Sequence, residues 1–141
     1  MKKASFEEAL MQLADENPQY DPQVYGFMRE ALDFTIKKLK KPAEGSARHV
    51  SGQELADGIR QFALQEFGPI TKTVLNQWGI FTTEDFGSIV FLLISKGIFG
   101  KSDEDSPGDF SGRYDFDKAF RDPFQPRERV VTNDIEQKEL F

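Results

Sequence analysis

His49 is the only histidine in the chain and no cysteine accompanies it, so one imidazole is the single side chain that ordinarily titrates near neutrality. A hydrolytic reading would use His49 as the base and Ser51 as the nucleophile. Neighbours on an extended segment need not face one another, and no Gly-x-Ser-x-Gly elbow is present. Ser51 also has a simpler use, because Glu54 follows it at the spacing of a capping box. The lack of cysteine removes disulfides, thiolate metal ligands and thiol nucleophiles together. The run Asp103-Glu104-Asp105-Ser106-Pro107-Gly108-Asp109 has acids and a glycine where a calcium loop needs them. Pro107 and Tyr114 then stand where an EF-hand requires a ligand and its bidentate glutamate. No P-loop or dinucleotide fingerprint occurs, and no spacing singles out a carboxylate pair for hydrolysis. The expectation is no catalytic residue, no metal and no cofactor.

Charge suggests partners instead. A net charge of −6 opposes a general nucleic-acid binder, which needs a basic face to displace counterions from phosphates. The charge is uneven, however. Lys37, Lys38, Lys40, Lys41 and Arg48 make a basic segment over residues 37–48. Asp103, Glu104, Asp105 and Asp109, followed by Asp115 and Asp117, make an acidic one. Between them, Trp78-Gly79-Ile80-Phe81 offers aromatic rings beside a glycine turn. Two functions follow as expectations. The first is a non-enzymatic protein-interaction module using Trp78, Phe81, Asp103, Glu104, Asp105 and Asp109 against a partner, possibly a basic one. The alternative is a nucleic-acid-associated regulator acting through Lys37, Lys38, Lys40, Lys41 and Arg48.

The elements that must carry these residues read as helices. Ser5 and Glu8 form a capping box ahead of Phe6, Ala9, Leu10 and Leu13, and Pro18 ends that helix. Asp21-Pro22 opens a second, with Val24, Phe27, Met28, Ala31, Leu32, Thr35 and Leu39 on one face. Lysines crowd its carboxyl end, where the helix dipole favours cations. Ser51 with Glu54 starts a third, stapled by Val50 and Leu55 and continued by Ile59, Phe62, Ala63 and Phe67. Ile70, Val74 and Trp78 outline a short fourth. Thr82 or Thr83 caps a fifth, with Phe86, Ile89, Val90, Leu93 and Ile94 as its main stripe. Phe91 and Leu92 lie off that stripe, so this helix is apolar nearly all round, as a central element would be. Beyond Gly97, Ile98-Phe99 and Tyr114–Phe116 read as a short β-ribbon with a polar tip.

Helices of this order followed by a ribbon predict a mainly α fold with a small β-ribbon. It would be a winged-helix-like core over residues 49–122, preceded by a helical pair at 1–41 and trailed by a tail at 123–141. The alternative is an irregular helical bundle with a hairpin. As a reader of DNA, that core would bring Glu84 and the acidic loop against phosphates, which is repulsive. Phe occurs 14 times in 141 residues, enough for an aromatic core without staples. The amino end starts basic, but Glu7, Glu8, Asp15 and Glu16 break any apolar run of signal-peptide type. Ile89–Ile94 is too short to cross a bilayer, so the expected location is cytoplasmic.

The strings RHVSGQEL, GIRQFALQEFGP, VLNQWGIFTTEDFGSIVF, DEDSPGDF and YDFDKAF, with YGFMREALDF more loosely, carry a resemblance. From Arg48 to Phe120 the chain resembles an uncharacterised bacterial family found mainly in planctomycetes and verrucomicrobia. The resemblance implies a folded bacterial domain and brings no activity, cofactor or ligand with it.

Overall fold

Five α-helices follow one another in the computed structural model, which describes residues 6–42, 49–100 and 107–125. They are α1 (Phe6–Glu16), α2 (Gln23–Lys38), α3 (Gly52–Phe67), α4 (Thr71–Gln77) and α5 (Thr83–Ser95). A segment of short turns completes them: 3-10 turns at Pro107–Phe110 and Asp122–Phe124, and a π turn at Asp117–Arg121. Ser5, Arg48, Asp103, Glu104, Asp105 and the chain beyond Gln125 lie outside the described residues.

Helix ends obey local chemistry. The Ser51 hydroxyl accepts from Glu54 N at 3.0 Å while the Glu54 carboxylate accepts from Ser51 N at 3.0 Å, so α3 opens on a complete capping box. Asp21 Oδ1 accepts from Gln23 N at 2.9 Å at the head of α2. The far end of α2 closes with Lys40 N on Lys37 O and Lys41 N on Ile36 O. This Schellman pattern forces Lys40 into the left-handed region at φ 56°, a position glycine usually holds.

The broadest packing is between α2 and α3. Gly58 allows it: a Cβ there would collide with the Thr35 hydroxyl, which is buried and donates to Ala31 O at 2.7 Å. A second close approach joins the α1–α2 turn to the end of α4. Asp21 N donates to Trp78 O at 3.0 Å, and Gly79, at φ 92°, abuts the Gln19 carbonyl. The core is one cluster running from Leu13 on α1 to Phe120 in the π turn, so the N-terminal pair shares it with the other helices.

Among the described residues there is no strand, which corrects the β-ribbon and, with it, the winged-helix assignment. The reason is visible in the backbone. Ile98 N and Phe99 N both donate to Leu93 O and so close α5, while Gly97 takes φ 75°. Phe116 leads straight into the π turn, where Ala119 N donates to Asp115 O at 2.8 Å. The groups a ribbon would pair across strands are engaged locally. Phe99 and Phe116, which suggested strands, are there for burial, and with Phe110 and Phe120 they belong to the helical core.

Two finer expectations also change. Leu39, the residue capping α2, is exposed, whereas Tyr25 and Ile36 on the helix are buried. Ile70 falls in the 3-10 turn at Gly68–Ile70 ahead of α4 and is exposed, and on α4 Thr71 and Leu75 take the inward positions.

The segment after α5 acts as a strap. Phe110 inserts against Gly87, Tyr114 donates to Ala56 O at 2.8 Å, and the Phe116 and Phe120 rings meet edge-on at 5.0 Å. The strap is tied to the head of α5 by polar contacts as well. Glu84 Oε2 accepts from the Ser111 hydroxyl and Gly112 N, both at 3.2 Å, and Thr83 Oγ1 accepts from Arg113 N at 3.2 Å.

Candidate functional site

One face of α5 buries Phe86, Ile89, Val90 and Leu93. Turning the helix presents Glu84, Ser88, Phe91 and Ser95 along a second face, spaced as residues that stack on one side of a helix. The strap covers the Gly87 side, and the α1–α2 turn brings Asn17, Gln19 and Tyr20 to the other. Between turn and helix runs an open groove of about 530 Å³. Phe91 and Leu92 supply its apolar floor. Leu92 packs against the core cluster, and Phe91 lies half-buried beside it.

Tyr20 is the hinge of this arrangement. Its ring is buried and its hydroxyl donates to Asp85 Oδ1 at 3.2 Å. The other oxygen of Asp85 accepts from Phe81 N at 2.8 Å and Thr82 N at 3.1 Å, fixing the first turn of α5. The same carboxylate therefore holds both the groove wall and Phe81, whose ring is 59% exposed at the head of the helix.

The polar groups of the groove are mostly committed as donors to their own backbone. Ser88 donates to Glu84 O at 3.3 Å, Ser95 to Leu92 O at 2.6 Å, and Asn17 Nδ2 to Leu13 O at 3.2 Å. What these bonds leave unused is mainly acceptor oxygen, with one N–H of the Asn17 amide beside it. Burial pushes the Tyr20 hydroxyl above its ordinary pKa, helped by the adjacent Asp85 charge. Glu84 is held below the usual carboxylate range, first by a backbone N–H and then by the Ser111 and Gly112 donors. Neither is brought towards neutrality, where an acid–base catalyst works best.

The residues singled out from sequence are scattered. Trp78 packs inward, its ring 5.5 Å from Phe27 and 5.6 Å from Phe67. Phe81 stands out in solvent. Asp109 is half-buried against Gly52 in the first turn of α3, where the helix dipole favours an anion. Lys37, Lys38 and Lys40 are exposed, while Lys41 lies 3.5 Å from Glu54. Ser51 is engaged as the α3 cap. The groove itself escaped the sequence reading. Its signal was present in Phe91 and Leu92 lying off the main stripe, but what covers them depends on where the Asn17–Tyr20 turn lands.

Among the described residues, no group of three or more His, Cys, Asp or Glu side chains is placed to hold a metal ion. Among them, too, no helix is long and apolar enough to cross a membrane. In comparisons with known proteins, no family model, no curated protein and no solved structure matches the chain.

Proposed function

We propose that this chain is a non-enzymatic protein-interaction module that docks a partner segment along the open groove beside α5. The observation that carries this reading is Phe91, an aromatic residue of α5 that lines the open groove beside Leu92 and is not among the fully buried residues of the described core. Aromatic side chains supply much of the energy of protein contacts when a partner desolvates them. The groove is open, whereas small-molecule sites enclose most of their ligand, so an extended or helical segment suits it better. Phe81 adds an exposed ring at the head of α5, the end of the groove that Glu84 lines.

The test compares proteins captured from source-cell lysate by the full chain, by Phe91→Ser and by Ser88→Trp, which fills the groove from an exposed position. Far-UV circular dichroism and melting curves establish that both variants fold. A protein held by the native chain and lost by both variants is the expected result. Capture indifferent to both substitutions overturns the reading. Retention of nucleic acid alone, abolished by replacing Lys37, Lys38 and Lys40 with Glu, transfers the function to the basic end of α2.

A further inference from the structure

Resting on that reading, we infer that the groove selects a cationic, donor-rich peptide segment with an apolar anchor, in preference to an acidic or neutral one. The polarity of the groove's hydrogen-bonding groups argues for this. Ser88 donates to Glu84 O at 3.3 Å and is also in hydrogen-bond contact with the Tyr20 hydroxyl, while Ser95 donates to Leu92 O. Tyr20 has given its proton to Asp85. Asn17 directs its amide nitrogen to Leu13 O, leaving its carbonyl oxygen for an occupant. Of the side-chain donors on the walls, one N–H of the Asn17 amide and the Gln19 amide remain for an occupant, set against the lone pairs of Ser88, Ser95, Asn17 and Glu84. A segment that brought carbonyls or carboxylates would set acceptors against acceptors and leave them unsatisfied. A segment that brought guanidinium or ammonium groups would satisfy both sides.

Charge points the same way. Glu84 lines the groove and Asp85 stands behind Tyr20, and neither carries an ion pair among the described residues. Among the described residues at the opposite end, the cation is Lys96, and Glu16 already neutralises it at 3.3 Å. The groove therefore has an acidic mouth at the head of α5, an apolar floor at Phe91 and Leu92, and a neutral far end. An arginine or lysine near Glu84, with an aliphatic or aromatic residue a helical turn or so away on Phe91, meets each region with its complement.

A displayed library of random peptides, screened on the full chain and counter-screened on Phe91→Ser, decides the matter. Sequences that bind only the native chain should be enriched in Arg and Lys spaced from an apolar residue. The best of them, made synthetically, should bind Glu84→Gln about fivefold more weakly, the scale of one exposed ion pair. Their binding should also fall with rising salt. Phe91-dependent sequences that are acidic or uncharged, or an affinity untouched by Glu84→Gln, would overturn the cationic preference and leave the docking groove standing. If no sequence depends on Phe91, the groove itself is not the docking site. Backbone amide shifts of Ser88, Phe91 and Ser95 on adding the synthetic peptide give an independent check of where it sits.

Discussion

Lys40 carries a conformation that its side chain does not favour. The Schellman closure of α2 needs a left-handed residue after the helix cap, and a Cβ in that region costs of the order of 1 kcal/mol. Lys40→Gly removes that strain and returns part of the gain through a looser unfolded chain. The expected net effect is a stabilisation of about 0.5–1 kcal/mol, read as a higher guanidinium midpoint with an unchanged slope. A midpoint that does not rise means the left-handed turn is not the solution conformation. The same substitution removes one of three exposed cations at this corner, so its effect on any nucleic-acid retention is worth recording in the same samples.

Helices, as elements, rest on their ends as much as on their faces, and α3 is the clearest instance. Ser51→Ala deletes the hydroxyl that accepts from Glu54 N and should cost about 1 kcal/mol. The partner in that box gives a pH dependence. Glu54 is held below its ordinary 4.5, chiefly by the Ser51 backbone donor, which outweighs the opposing effect of burial, with Lys41 adding a lesser pull in the same direction. A depressed carboxylate contributes stability above its unfolded pKa and loses it as pH falls through the folded one. The urea midpoint of the native chain should therefore fall more steeply than that of Glu54→Gln below about pH 4.5. Parallel acid limbs would count against the box. This cap was legible in the sequence because Ser51, Glu54, Val50 and Leu55 act within one turn of each other. The ribbon was misread because Ile98, Phe99, Tyr114 and Phe116 have strand-like side chains whose role is burial, and burial is decided by distant partners. Phe91 was visible as an apolar residue off its stripe. The groove around it was not, since nothing local dictates that the Asn17–Tyr20 turn covers one side of it and stops.

At the scale of the whole molecule the question is whether the strap is part of the fold or a layer upon it. Phe110, 2% exposed, belongs to the same core cluster as Leu13 and Met28 from the other end of the chain. The π turn beyond it reaches α4 through Lys72 and Asp117, 2.6 Å apart. Trp78, the only tryptophan, sits at the end of that helix between Phe27 and Phe67, and so reports on the helical core and not on the strap. Phe110→Ala removes a ring from a filled site and should cost about 3–5 kcal/mol, lowering the melting temperature by roughly 10–15 °C. If the strap and the helices unfold as one cooperative unit, Trp78 fluorescence and far-UV circular dichroism will move together by that amount. If the strap is an appended layer, the Trp78 transition will hold its place while only amides of 107–125 lose protection from hydrogen exchange. The first outcome is expected, because the strap fixes Glu84 and Thr83 at the head of α5, and that head anchors Phe81 and the mouth of the groove.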